Sequence, residues 1–356
     1  GSGHMLTYAF DLLYAIYEEE GYDPIKISSL ILEKNLYGIE IDERAGALAA
    51  FALAMKARDK DKRFFTRGMQ PKVCVLENVS FSDQELKEYM NAVGRDLFTE
   101  PLLQTLKQFE QAKNFGSLIQ PVLTNPAYIR QMLAEKNLAG NLFLFEIHEK
   151  VMTVLRQSEY LSPIFHVVIA NPPFSQNYNK AGMKFQSRFA YGFAPETGKK
   201  ADLMFVQHMI ASLNSKGRMA TIMPHGVLFR GSAEKVIRKG IVDANLIEAI
   251  ISLPPALFYG TGIPACVLVI NKNKDEKLKN KIFFINADAE FGEGKVQNFL
   301  RPEDIEKIDY VFTHKIEIPK YSKLVDNKTI ADEHDYNLNI RRYVDNTPEP
   351  EPEDVK

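Results

Sequence analysis

The run Val168-Ile169-Ala170-Asn171-Pro172-Pro173-Phe174 constrains this chain more tightly than any other part of it. An apolar, β-branched stretch is cut off by a polar side chain, two prolines and an aromatic ring. Proline fixes φ and removes a backbone donor, and it pushes the preceding residue out of the helical region. A strand must therefore end at Asn171. In open α/β sheets, the carboxyl end of a strand is where ligands bind.

The rest of the chain supplies the sheet for such a strand. Short buried strands are predicted over 36–41 and 72–76, with an Ala/Leu-rich helix over 44–58 between them. A third buried strand, 167–170, leads into the proline turn. A helix follows over 201–213, then strands over 218–223, 246–252, 266–270 and 282–285. Alternating strand and helix signals predict an α/β sheet, largely parallel, with helices on both faces. Residues 81–160 break the rhythm. They carry helical patterns over 84–90, 102–112, 129–135 and 142–155 and read as a helical insertion. From 287 to 345 the pattern becomes irregular, a carboxyl-terminal extension. Residues 346–356 are acidic and Pro-rich, a linker or tail. One catalytic domain over 1–286 is the expected organisation.

Composition excludes several classes. With 356 residues, 45% hydrophobic and 25% charged, the chain has an ordinary globular balance and room for a sizeable core. Nothing approaches the roughly 18 consecutive apolar residues of a membrane span, and no apolar signal segment follows a basic start. Cys74 and Cys266 lie far apart, which argues against a disulfide framework or zinc site and fits a reducing cytoplasm. The seven histidines lack metal-ligand spacing, so no metal is expected. A net charge of −2 excludes a basic coat protein but leaves room for an enzyme with one basic face.

Asn171 and Pro172 offer two acceptors, a side-chain oxygen and a backbone carbonyl. Such a pair suits an exocyclic amine whose lone pair is delocalised into an aromatic ring. Holding both amino hydrogens localises the lone pair and aims it, while Phe174 stacks on the ring. An isolated Asn-Pro-Pro is as often an ordinary turn. Its place after an apolar strand in an α/β pattern favours chemistry.

Asn171-Pro172-Pro173-Phe174 resembles the catalytic motif of amino-methyltransferases, a motif shared by enzymes acting on DNA, RNA and glutamine side chains. Leu253-Pro-Pro-Ala-Leu-Phe-Tyr-Gly-Thr-Gly-Ile-Pro-Ala-Cys266 and Tyr336-Asn-Leu-Asn-Ile-Arg-Arg-Tyr-Val344 resemble stretches of the modification subunit of type I restriction-modification systems. Leu36-Tyr-Gly-Ile-Glu-Ile-Asp42 is closer to large fused methyltransferases of phage-defence and type II systems. The resemblance covers 160–345 well, 1–60 less, and the helical segment between them least.

The resemblance implies a Rossmann-like fold and methyl transfer from S-adenosylmethionine to adenine N6 in duplex DNA, by direct displacement. Asn171, Pro172, Pro173 and Phe174 would form the catalytic turn. The target base must leave the duplex to reach it. The implied partners are DNA, a specificity subunit and a restriction subunit, with no membrane. The alternatives are a fused single-chain adenine methyltransferase, a protein-glutamine or RNA methyltransferase, and a non-catalytic methyltransferase-like module.

On the cofactor side, Gly1-Ser2-Gly3 reads in one of two ways. It is a leader left by cloning, or it is the end of the family's Asp-Pro-x-x-Gly-x-Gly loop, whose glycines let the backbone approach the ligand. The spacing into the following helix favours the second. In that frame the family's central first strand is missing from this chain. Glu40 closes the first strand, where a carboxylate can accept from both ribose hydroxyls. Ile41 would cover the cofactor adenine. Asp42 reads as a helix cap. Glu77 or Asn78, after the second strand, would contact the adenine edge.

On the DNA side, the resemblance places Phe258 against the flipped base. The alternative is a core aromatic. The loop 175–200 holds Lys180, Lys184 and Arg188 among aromatic residues, a pattern suited to phosphate contact and stacking or to an anchored surface loop. The basic run 56–67 reads as a solvated face before it reads as a DNA contact.

Overall fold

The computed structural model describes residues 3–94, 98–116, 119–136, 140–162, 165–172, 174–181, 186–258 and 262–347. They fall into two compact units, 1–163 and 164–356.

In the first unit, β1 (Gly38–Glu40) and β2 (Val73–Val75) pair in parallel, with Ile39 opposite Cys74. The helix α3 (Glu43–Lys60) joins them. Asp42 caps it, its Oδ1 accepting the Ala45 amide at 2.8 Å, a contact typically worth about 1 kcal/mol. Gly46 sets how closely α3 lies on β2, because a Cβ there would fall 2.4 Å from Val75 Cγ2. Two further helices, α1 (His4–Glu19) and α2 (Pro24–Leu30), bury Phe10, Tyr14 and Ile27 against Leu53 and Phe64. Both strands are shorter than expected, and the helix between them is slightly longer.

The segment read as an insertion is helical: α4 (Asp83–Val93), α5 (Thr99–Gln108), α6 (Ala112–Phe115), α7 (Pro126–Ala134) and α8 (Leu142–Leu161). A capping box between Ser82 and Glu85 starts α4. Leu86, Tyr89, Leu106, Phe109, Ile129, Val151 and Leu155 form its core, which is continuous with Cys74 and Leu76.

The second unit is a six-stranded sheet in the order β3-β4-β6-β5-β7-β8. Its strands are β3 (Phe165–Ala170), β4 (Leu213–Pro224), β5 (Ile247–Ser252), β6 (Ala265–Asn271), β7 (Lys281–Asn286) and β8 (Ser322–Asp326). The pairings make β3, β4, β5 and β7 parallel, with β6 and β8 antiparallel. The sheet is therefore mixed where a largely parallel one was expected. The carboxyl ends of β3, β4, β5 and β7 share one rim with the start of β6. Around the sheet run α9 (Asp202–Ser212), α10 (Ser232–Asp243), α11 (Pro302–His314) and α12 (Asn327–Asp332).

Two expectations need correcting. β3 was read as buried, yet Val167 and Ile169 are 62% and 54% exposed. Among the described residues β3 pairs only with β4, so it is the edge of this sheet. The segment after 287 was read as irregular, yet it supplies α11, β8 and α12. Leu324 and Val325 are the only apolar residues of β8, too few for a legible strand pattern. Beyond β8 a terminal arm clasps the sheet. The Leu338 amide donates to Leu228 O at 2.8 Å, Asn286 Nδ2 donates to Val344 O at 3.0 Å, and Tyr343 stacks on Phe284 at 4.3 Å.

Candidate active site

Ala170 pairs with Thr221, so Asn171 leaves β3 at the carboxyl rim beside the end of β4. Asn171 is exposed and Pro172 half-buried. Pro173 lies outside the described residues. The Phe174 ring meets Phe258 edge-on, with centroids 6.4 Å apart and planes at 74°. Phe258 therefore borders the turn by packing on Phe174. Ser175 follows with φ 57°, left-handed for a residue with a side chain.

His225 lies on the same rim, after β4. Its Nε2–H donates to the Ala265 carbonyl at 2.9 Å, and Ser252 Oγ lies 3.3 Å from the same nitrogen. Burial pushes the imidazole below its ordinary pKa, against the opposing pull of the Ala265 carbonyl and Asp288. The neutral ring thus ties β4, β5 and β6 together.

The loop after the turn folds back on its own base. The Ala201 amide donates to Gln176 O at 3.0 Å, Lys199 N to Asn177 Oδ1 at 2.7 Å, and Lys180 N to Glu196 Oε2 at 2.8 Å. Lys180 Nζ sits over the Phe193 ring at 4.2 Å, and Lys184 lies outside the described residues. Arg188 departs from expectation. It is buried, with Nη1 donating to His208 Nδ1 at 3.2 Å and its guanidinium over the Phe189 ring. Burial pushes the guanidinium down to about 10 and, with help from Arg188, His208 down to about 3. A guanidinium used in this way is not presented to a phosphate.

In the first unit, Glu40 ends β1 with its carboxylate turned onto the next turn of chain. Oε1 accepts from the Ile41 amide at 2.8 Å and the Asp42 amide at 3.2 Å. Ile41 is 48% exposed, an apolar surface beside that carboxylate. Gly3 is the N-cap of α1 at φ 84°, and a Cβ there would lie 2.7 Å from Ala49 Cα. Only glycine suits both demands. Gly1 and Ser2 lie outside the described residues.

A cavity of about 680 Å³ opens along β2 and the residues that follow it, lined by Glu77, Asn78, Lys113, Arg156 and Tyr160 among others. Both candidates after β2 line it. Glu77 Oε1 lies 3.7 Å from Arg156 Nη2, while Asn78 Oδ1 accepts the Lys113 amide at 2.8 Å. Arg156 and Tyr160 come from α8, and sequence reasoning missed them. A helix 80 residues away leaves no local signal that its last turns face β2. Its lining combines a carboxylate, an amide, cations and an aromatic ring. Half of the basic run is spoken for, with Lys56 paired to Asp11, Lys60 over Tyr14 and Arg67 on Asp61.

A mixed α/β sheet that ends an edge strand in Asn-Pro-Pro-Phe, with an aromatic pair at the turn, has the form of an amino-group methyltransferase. The chain belongs to the N-6 DNA methylase family, whose model matches residues 119–352. It is 37% identical over 195 residues to the type I restriction enzyme MpnII methylase subunit of Mycoplasma pneumoniae, covering 54% of this chain and 35% of that protein. It is 29% identical over 327 residues to the adenine-specific methyltransferase BrxX of Escherichia coli O9:H4, covering 84% of this chain and 27% of that protein. The chain thus spans about a third of the length of these relatives. In fold it is similar to the ATP-dependent type ISP restriction-modification enzyme LlaBIII bound to DNA, with a TM-score of 0.50 and 11% identity over 90% of this chain and 19% of that one. No helix among the described residues is long and apolar enough to cross a membrane.

Proposed function

We propose that this chain is the catalytic core of an adenine-N6 DNA methyltransferase, working as the modification subunit of a type I restriction-modification system. The observation that carries the reading is Asn171-Pro172-Phe174 at the carboxyl end of β3, with Phe258 against Phe174, in a chain of the N-6 DNA methylase family. The sheet is read as Rossmann-like.

Asn171 Oδ1 and the Pro172 carbonyl accept the two amino hydrogens of a flipped adenine. That concentrates the nitrogen lone pair, while Phe174 stacks on the base. The amine is thereby aimed for in-line transfer, and water would take its surplus proton. S-adenosylmethionine, when bound, supplies an activated methyl group. Glu40 would hold its ribose, Ile41 and the Glu77–Asn78 wall its adenine, and Gly3 its carboxylate end. Lys180 and Lys184 would meet DNA phosphates, and a specificity subunit would choose the site.

The match to BrxX extends well into the first unit and favours a second reading, the core of a larger single-chain enzyme. The experiment uses the full-length protein with any specificity subunit, tritiated S-adenosylmethionine and unmethylated duplex DNA. Label in N6-methyladenine is expected. Label without a second subunit selects the single-chain reading. Cofactor binding with no label in DNA overturns both. Asn171→Ala should abolish transfer and spare cofactor binding; equal loss of both removes its base-holding role.

A further inference from the structure

Asp202 is 1% exposed, an acid at the first residue of α9 that the reaction as written does not use. Its Oδ1 accepts the Ser175 amide at 2.9 Å. Its Oδ2 faces Arg230 Nη1 at 3.2 Å, and the same nitrogen reaches Glu234 Oε1 at 3.2 Å. Glu234 is also 1% exposed and takes a second cation, Lys200, at 3.2 Å. Two buried carboxylates and two cations therefore form a closed, charge-balanced group. Gly226 makes room for it, since a Cβ there would meet the Arg230 guanidinium at 2.4 Å.

The group is joined to the catalytic turn at one point. Ser175 directly follows Phe174 and holds a left-handed φ of 57°. Left-handed backbone is disfavoured for a residue with a Cβ and persists where its surroundings impose it. The Asp202 carboxylate on the Ser175 amide is such an imposition, and a charge-assisted hydrogen bond is stronger than a neutral one. One residue on, Gln176 O accepts the Ala201 amide at 3.0 Å, so the chain beside Asp202 grips the same turn twice.

We infer that Asp202, seated by Arg230, is a positioning residue for the methyl-transfer turn. It fixes the backbone after Phe174, and so the ring that stacks on the target base. The inference rests on the proposed methyltransferase reading. It adds a residue 27 positions further along the chain that touches neither base nor cofactor.

The test uses the full-length enzyme with Asp202→Ala, Asp202→Asn and Arg230→Met, read by hydrogen exchange and by steady-state methylation. Asp202→Ala should speed exchange in the peptide spanning 174–178 while the body of α10 stays protected. It should lower kcat by about 10- to 100-fold, the range expected for losing a hydrogen bond to a charged group, and raise KM for DNA but not for S-adenosylmethionine. Asp202→Asn keeps a carbonyl oxygen for Ser175 and should recover kcat to within about fivefold of wild type. Arg230→Met should fall between the two. A fall in kcat that matches the loss of folded protein, with both KM values unchanged, overturns the inference, as does unchanged exchange at 174–178. If Asp202→Ala does not fold, Asp202→Asn and Arg230→Met decide by the same readouts. Wild-type protein that labels no DNA removes the methyltransferase reading itself. The exchange result then still decides whether Asp202 holds the turn.

Discussion

The Phe174 and Phe258 rings meet edge to face, 84 residues apart in sequence and 6.4 Å apart between centroids. Such pairs contribute about 0.5–1.5 kcal/mol beyond the area they bury. On the proposed reading, the contact makes Phe258 a support for the ring that would stack on the base. Phe258→Ala should raise KM for DNA about tenfold, within the range of lost base–aromatic stacking, and leave S-adenosylmethionine binding intact. Steady-state kinetics with each substrate varied in turn checks this. An unchanged KM for DNA would place Phe258 outside the base site.

Glu40 spends its carboxylate on the Ile41 and Asp42 amides. That geometry holds the group at the end of β1, where the proposed reading has it accept from the cofactor's vicinal hydroxyls. Glu40→Ala should weaken S-adenosylmethionine binding by about 10- to 100-fold, as for the loss of hydrogen bonds to a charged group. Calorimetric titration measures this directly, and wild-type affinity would remove the assignment.

Gly46 gives a prediction about stability. Alanine is the better helix former by about 1 kcal/mol, but its Cβ would fall 2.4 Å from Val75 Cγ2. Overpacking of this kind costs about 1–3 kcal/mol. Gly46→Ala should therefore lower the melting temperature. A melting temperature at or above wild type would mean that α3 can lift off β2 without cost.

His208, His148 and His225 are all held below their ordinary pKa, in each case first by burial. The unfolded chain therefore binds protons that the folded chain refuses. Stability from these groups is complete above about pH 6.5 and is lost as pH falls towards their folded values, about 3 for His208. Each group adds at most about 1.4 kcal/mol per pH unit to that slope. Denaturant titrations at pH 5 and pH 7 should show the loss, and His208→Gln should reduce it. An equal loss in that variant would mean that His208 titrates normally.

The end of β3 at Asn171 could be read from sequence because proline spells it out. Asn171-Pro172 ends a strand in any context, and the strand before it is short and apolar. Strand direction could not be read: nothing in Ala265–Asn271 distinguishes an antiparallel β6 from a parallel one. Chemistry made of distant partners was equally silent. The Asp202–Ser175 hydrogen bond and the α8 side chains near Asn78 depend on how the chain closes. Arg188 misled for the opposite reason. Basic and aromatic residues alternate around it, and the same mixture serves a phosphate-binding loop or a guanidinium buried on Phe189 and His208.

The arm that joins Leu338 to Leu228 and Val344 to Asn286 has a consequence for synthesis. β7 leaves the ribosome with Phe284 and Ile285 uncovered, and their neighbours in space, β8 and Tyr343, follow only later in the chain. Contacts this far apart in sequence form late, and unpaired strand edges favour association while they wait. The nascent second unit must therefore hold a half-dressed sheet until that arm arrives. A chaperone that shields β7 during that interval would raise the yield of native protein without altering its final stability.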